Sequence, residues 1–237
     1  LKLNLHSSFL LDASGVIYND NGPVPSIQDT ITILQNTGKV IVVTNNANNY
    51  PTEIAQKFLQ SKIPISESNI ISSGFGCALD PDINPKIKDK NVFVFGKEKS
   101  WQYIKDAKCK AIVNSPKDAD TIVLTSTLQK HTDLRISELI NYINKNTPCP
   151  IICINPDQYV LGMNEQLIHV IGYYASIIEK QTQVPIQWFG KPFENFSIML
   201  KNLLTIQYKL TLDKRICFFD DNLENVINIK KHLKEHI

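Results

Sequence analysis

The chain has 237 residues and a mass of 26.9 kDa, with 43% apolar and 20% charged residues; it can bury a real core of one or two domains and is too apolar to be disordered. Lysines and arginines number 25 against 23 acidic residues, a formal net charge of +2, and only Arg135 and Arg215 are arginines, so no nucleic-acid partner is expected. No apolar run approaches the roughly 18 residues of a membrane helix, and Leu1-Lys2-Leu3-Asn4-Leu5-His6 is too short and polar for a secretory signal; a soluble cytoplasmic protein with no membrane partner is the expectation.

The first third alternates short apolar runs with segments of helical period, the mark of βαβ units on a parallel sheet. Phe9-Leu10-Leu11 reads as a buried strand ending at Asp12. A turn-rich loop through Asn19 to Pro23 follows, then a helix with Ile27, Ile31 and Leu34 on one face, closed by Gly38. Val40 to Val43 forms the second strand, which ends at Thr44-Asn45-Asn46, and a second helix opens after Pro51 with Ile54, Phe58 and Leu59 facing inward.

Asp80 to Lys86 reads as a linker, after which a second series begins at Val92-Phe93-Val94-Phe95. Its predicted strands are 92–95, 111–113, 121–124 and 151–154, with helices around Trp101, over 134–143 and over 168–178. At Ile186 to Pro192 the chain is expected to return to the first domain, where Ile216-Cys217-Phe218-Phe219 supplies one more buried strand before Asp220-Asp221. The five cysteines (Cys77, Cys109, Cys149, Cys153 and Cys217) are odd in number and form no CxxC pair, so neither disulfides nor a zinc site is indicated.

In an open parallel sheet the working groups lie just beyond the carboxyl ends of the strands. Asp12, Thr44, Lys191 and the Asp220-Asp221 pair all follow predicted strands. A carboxylate to attack, a hydroxyl and an ammonium to hold oxygens, and a second carboxylate for a metal are what phosphoryl transfer asks for.

The stretch Phe9-Leu10-Leu11-Asp12-Ala13-Ser14-Gly15-Val16-Ile17-Tyr18 resembles the first motif of the haloacid dehalogenase superfamily, D-x-D-G-V-(L/I)-(Y/W). Val42 to Ala47 resembles the second motif, Phe189-Gly190-Lys191-Pro192 the third, and Phe219 to Leu223 the fourth, in that order along the chain. The long insert between the second and third motifs, with Asn155-Pro156-Asp157 late in it, is similar to the large cap of the NagD and 4-nitrophenylphosphatase-like subfamily. The resemblance implies an α/β fold, a Rossmann-like core over residues 1–79 and 183–237 with an α/β cap over 80–182. It also implies that members continue past the fourth motif through a further helix and strand.

By the same resemblance Asp12 would be the nucleophile, Thr44, Asn45, Asn46 and Lys191 would hold the phosphoryl oxygens, and Asp12, the Ser14 carbonyl and Asp221 would bind Mg²⁺. The implied partner is a small phosphorylated metabolite, with a homodimer through the cap. Three positions depart from the pattern. Ser14 stands where phosphatases carry the Asp that protonates the leaving alcohol, a loss worth roughly 10²- to 10⁴-fold. Asp220 replaces a glycine, which would crowd the metal site, and Val226 replaces an Asp that would orient Lys191 or the metal shell. Together they keep a second reading open: a catalytically impaired relative that binds a phosphorylated ligand or a protein partner. Trp188 reads as core rather than as a substrate platform, and His232 and His236 read as a solvated helix face without a ligand role.

Overall fold

The computed structural model describes residues 7–19, 21–128, 131–146, 149–162, 166–210 and 216–234; Leu1 to His6, Arg215 and His236 of the sequence reading lie outside them. Strand β1 (Ser7–Leu11) leads into a small hairpin, β2 (Tyr18–Asn19) and β3 (Gly22–Pro23), then α1 (Ile27–Thr37), β4 (Gly38–Thr44), α2 (Pro51–Gln60) and β5 (Ile70–Ser72). Two one-turn helices, α3 (Gly76–Leu79) and α4 (Asn84–Ile87), lead to β6 (Asn91–Phe95), α5 (Trp101–Asp106), β7 (Ala111–Val113), β8 (Thr121–Leu124), α6 (Thr132–Lys145) and β9 (Ile151–Cys153). A hairpin of β10 (Tyr159–Leu161) and β11 (Leu167–His169) precedes α7 (Ile171–Thr182) and β12 (Ile186–Trp188). The described chain ends through α8 (Glu194–Ile206), β13 (Ile216–Phe219) and α9 (Leu223–Lys234).

The strands sort into two all-parallel sheets, a four-stranded one in the order β13-β1-β4-β5 and a five-stranded one in the order β12-β9-β8-β6-β7. The protein is thus α/β, a Rossmann-like parallel core carrying an α/β cap. Strand alternation sets its layers, because successive side chains point to opposite faces. Phe9, Leu11, Val40, Val42 and Ile70 pack with Ile27, Ile31 and Leu34 of α1 and Ile54 and Phe58 of α2. The intervening Leu10, Ile41, Val43 and Ile71 face the other way, into a cluster that also takes Val92, Val94, Val123 and Ile152 from the second sheet and Phe196, Leu200 and Leu204 from α8. One apolar cluster therefore joins both sheets. On the far side of the second sheet, Phe93, Phe95, Ile122 and Leu124 pack against α6 and α7.

Several expectations are corrected. Ile186–Trp188 pairs in parallel with β9, so these residues complete the second sheet and the chain rejoins the first domain after Trp188 rather than from residue 183. The expected linker at Asp80 to Lys86 is packed structure: Asp80 is buried and its Oδ1 accepts from the amides of Asp82 (3.0 Å) and Ile83 (2.9 Å), while Ile83 and Ile87 are fully buried. Leu59 is 75% exposed, because it sits about 100° round the helix from Phe58, which faces the core. The helix expected from Ile168 begins at Ile171, since Leu167–His169 pairs with Tyr159–Leu161 instead. His232 is buried at the contact of α9 with α8, with Nδ1 3.8 Å from Glu194, not on a solvated face.

Candidate active site

Asp12 follows β1 directly, and its amide donates to the Phe219 carbonyl at the end of β13 (2.8 Å). The ends of two adjacent strands are thereby tied together, and Asp12 meets Asp220 and Asp221 across that junction. One carboxylate oxygen from each of Asp12, Asp220 and Asp221 lies within 4.8 Å of the others.

Lys191 enters this cluster from the second sheet, by way of β12 and Gly190. Gly190 has φ +130 and lies where a Cβ would come within 2.5 Å of Pro156, so a residue without a side chain is required. The Lys191 side chain is 1% exposed, and its Nζ donates to Asp12 Oδ1 at 2.7 Å and Asp220 Oδ2 at 2.5 Å. The other oxygen of Asp220 accepts from the Asn222 amide and from Asn225 Nδ2, both at 2.9 Å. Asp220 thus adds a third carboxylate to the cluster, as expected, and it also contacts the lysine and is held by Asn225.

One ammonium facing two buried carboxylates leaves the charge unbalanced. Burial pushes the Asp12 carboxyl up to about 7 in spite of Lys191, and the Asp220 charge adds to the rise. Burial would lower the Lys191 ammonium, but Asp12 and Asp220 outweigh it and hold it above the ordinary lysine value. Asp221 is raised by burial and by the neighbouring Asp220. A site this rich in carboxylate oxygens, short of positive charge, fits a hard divalent cation. Gly15 fits the same picture: at φ +80 it lets the backbone approach so closely that a Cβ would lie 2.1 Å from Asp221 Oδ2.

The second-motif residues divide their work differently from the expectation. Thr44 is buried at the end of β4 and its Oγ1 accepts from the Asn46 amide (3.1 Å), which leaves the hydroxyl proton to offer. Asn45 does not face a phosphate: its Oδ1 accepts from the Lys191 amide (2.7 Å), and its Nδ2 donates to the Lys191 carbonyl (2.9 Å) and to Asp157 Oδ1 (2.8 Å). Asn46 Nδ2 donates to the Tyr18 hydroxyl (3.2 Å) and its Oδ1 accepts from the Asn48 amide (3.0 Å), so this side chain is also turned to loop structure. Ser14 is half-buried and bridges to Tyr18.

Two contributors carry no site role in the sequence reading, Asp157 appearing there only within the Asn155-Pro156-Asp157 stretch of the insert. Asp157, from the loop after β9, lines the cleft with Lys191, and burial raises its carboxyl. Asn225 sits on the first turn of α9, with no local pattern to mark it. A cleft of about 520 Å³ opens between the two sheets' loops, lined by Asp157, Tyr159, Trp188, Lys191, Phe193 and Glu224 among others. Trp188 is half-buried and packs against the core cluster of the second sheet, as expected, and it also lines this wall, its ring nearly parallel to Phe193 (6.1 Å between centroids, 9° between planes).

Among known proteins, the family model described as haloacid dehalogenase-like hydrolase matches residues 9–110, the span that carries Asp12 and Thr44 but not Lys191, Asp220 or Asp221. Over that span, less than half of its length, the chain is similar to the haloacid dehalogenase-like hydrolases. Curated proteins similar to part of the chain include phosphoglycolate phosphatase 2 of Arabidopsis thaliana, 33% identical over 93 residues, and the 5'-nucleotidase YutF of Bacillus subtilis (strain 168), 26% identical over 105 residues. These matches span 38% and 44% of this chain and only 31% and 40% of the relatives' own lengths.

Solved structures share the fold over nearly the whole chain. A possible sugar phosphatase of the superfamily from Cytophaga hutchinsonii superposes with TM-score 0.82 at 23% identity, covering 98% of this chain and 83% of the other. A 4-nitrophenylphosphatase from Thermotoga maritima gives 0.75 at 17%, covering 98% and 84%. A glycerol phosphate phosphatase of Mycobacterium tuberculosis, solved with magnesium, gives 0.76 at 14%, covering 95% and 65%. The fold is therefore the one these solved structures share, a parallel α/β core with an α/β cap. Among the described residues no helix is long and apolar enough to cross a membrane.

Proposed function

We propose that this chain is a Mg²⁺-dependent phosphatase that takes the phosphoryl group of a small phosphorylated metabolite onto Asp12. The observation that carries the reading is the ion-paired cluster joined to the cleft through Lys191, with Lys191 Nζ on both Asp12 and Asp220 and Asp221 beside them. Lys191 engages Oδ1 of Asp12, which leaves Oδ2 to attack phosphorus while the bond to the leaving oxygen breaks. The lysine ammonium and the Thr44 hydroxyl offer donors for the charge that builds on the transferring oxygens. Water then attacks the aspartyl-phosphate, releasing phosphate and restoring Asp12. Asp12, Asp221 and the Ser14 carbonyl would hold the metal ion, with Asp220 at hand, and its charge would offset that of the carboxylates and the phosphate.

A second reading rests on Ser14. A serine hydroxyl cannot protonate a leaving alkoxide near neutral pH, so binding a phosphorylated ligand without efficient turnover is the rival outcome. Hydrolysis of 4-nitrophenyl phosphate in Mg²⁺ by wild type and Asp12→Asn separates the two. Turnover that Asp12→Asn abolishes supports the phosphatase; no turnover, with Mg²⁺-dependent binding of phosphate intact, supports the rival. A homodimer through the cap accompanies the proposal, motivated by the exposed Leu161, Leu167 and Ile168 of the β10–β11 hairpin, and sedimentation equilibrium tests it.

A further inference from the structure

The cleft is much larger than a phosphoryl group needs, and its walls beyond Lys191 have a distinct chemistry. The lining includes the nearly parallel rings of Trp188 and Phe193, close in the chain to Lys191. It also includes Tyr159, packed in a ring cluster in which His169 lies 5.0 Å from it and stacks on Tyr173 at 3.6 Å. The charge on this lining is one-sided. Among the described residues that line it, Lys191 is the only cation, and it already contacts two carboxylates; Asp157 and Glu224 add two acidic groups.

We infer that the phosphate esters this cleft accepts carry an uncharged leaving part with a flat ring, and that esters with a second anionic group are rejected. The inference rests on the phosphatase reading for the placement of the phosphoryl group at Asp12 and Lys191. With the phosphate there, the rest of the ester runs along the Trp188–Phe193 wall, where a flat ring stacks and a polyol does not. Among the described lining residues a second carboxylate on the ester finds no free ammonium or guanidinium, and it shares the cleft with the acidic Asp157 and Glu224, which oppose it. The phosphoglycolate esters named for one group of relatives are of the rejected kind.

Binding to the Asp12→Asn variant in Mg²⁺ tests this without requiring turnover. The three probes are 4-nitrophenyl phosphate, glycerol 3-phosphate and 2-phosphoglycolate, titrated by calorimetry. The expected order puts 4-nitrophenyl phosphate about 3- to 10-fold tighter than glycerol 3-phosphate, the gain of one aromatic pair, and 2-phosphoglycolate weaker still by about tenfold. Trp188→Ala should erase the first gap and leave the second. Glu224→Lys, on the exposed first turn of α9, should narrow the second and leave the first. Binding of 2-phosphoglycolate as tight as that of glycerol 3-phosphate, a first gap that survives Trp188→Ala, or no binding of any probe overturns the inference. Wild-type turnover is read separately: the expected order without any hydrolysis overturns the phosphatase reading and leaves the ligand class standing.

Discussion

The carboxamide of Asn45 grips the peptide units on both sides of the Lys191 Cα, accepting from its N–H at 2.7 Å and donating to its C=O at 2.9 Å. The same NH₂ group reaches Asp157 at 2.8 Å, so one buried side chain of the first domain fixes both the lysine and the cap loop. Asn45→Ala would strand two backbone groups and a carboxylate oxygen, each worth about 1–3 kcal/mol when buried and unsatisfied. An overall loss of about 2–4 kcal/mol in urea unfolding is expected, against a change under about 1 kcal/mol for Asn46→Ala, whose contacts lie nearer the surface. Equal losses for the two would show that Asn45 is not the clamp.

Lys191→Met removes the cation between two buried carboxylates. Asp12 must then protonate or face Asp220 without a counter-charge, so the penalty grows with pH. Thermal unfolding should show a deficit of about 3–5 kcal/mol at pH 8, shrinking toward pH 5 as Asp12 takes up a proton. A deficit independent of pH would mean that the lysine acts through packing alone.

Asp12 reverses the usual carboxylate rule. Its folded-state value, about 7, lies above the unfolded value of 3.8, so between those pH values the folded state binds more protons than the unfolded state. Stability falls as pH rises through that window. Asp12→Asn, which cannot ionise and leaves Lys191 paired with Asp220, should therefore be more stable than wild type at pH 8 without divalent ions, by about 1–3 kcal/mol, and equal to it near pH 4. Millimolar Mg²⁺ should stabilise wild type more than the variant. A variant less stable at pH 8 than at pH 4, relative to wild type, contradicts the charge imbalance.

Ser14 predicts how any hydrolysis depends on the leaving group. A phenolate can depart unprotonated and an alkoxide cannot, so aryl phosphates should be cleaved far faster than alkyl phosphates. Ser14→Asp should restore activity chiefly on alkyl esters, toward the lower part of the roughly 10²- to 10⁴-fold range of general acid catalysis. Rates for 4-nitrophenyl and glycerol phosphates, in wild type and Ser14→Asp with Asp12→Asn as the blank, decide it; no gain on either ester would place the defect elsewhere.

Much of the fold is legible in the sequence because strand and helix periods are local: the β1 and β4 runs and the α1 stripe of Ile27, Ile31 and Leu34 are where the pattern puts them. The motif order brings Asp12, Lys191 and Asp221 into one neighbourhood. What the sequence hides is long-range partnership. Nothing near Ile186 says whether its strand pairs with β9 or with the first sheet, because parallel pairing is decided by residues far apart in the chain. Asn45 looks like a substrate donor until the Lys191 backbone, 146 positions away, is seen against it. Asp220 reads as a crowding carboxylate in the fourth motif, and its contact with Lys191 Nζ, 29 positions away, becomes visible only in the fold.

The apolar cluster that runs from Leu10 and Ile41 through Phe196 to Val123 and Ile152 limits how the cleft can exchange its contents. Swinging one sheet away from the other as a rigid lobe would expose these fully buried side chains to water, at about 25 cal/mol for every Å² uncovered. Traffic through the cleft is thus left to smaller parts, above all the β10–β11 hairpin, which carries Tyr159 on two three-residue strands. Access becomes a matter of a flap and not of a hinge, and the two sheets are bound to melt together as one cooperative body.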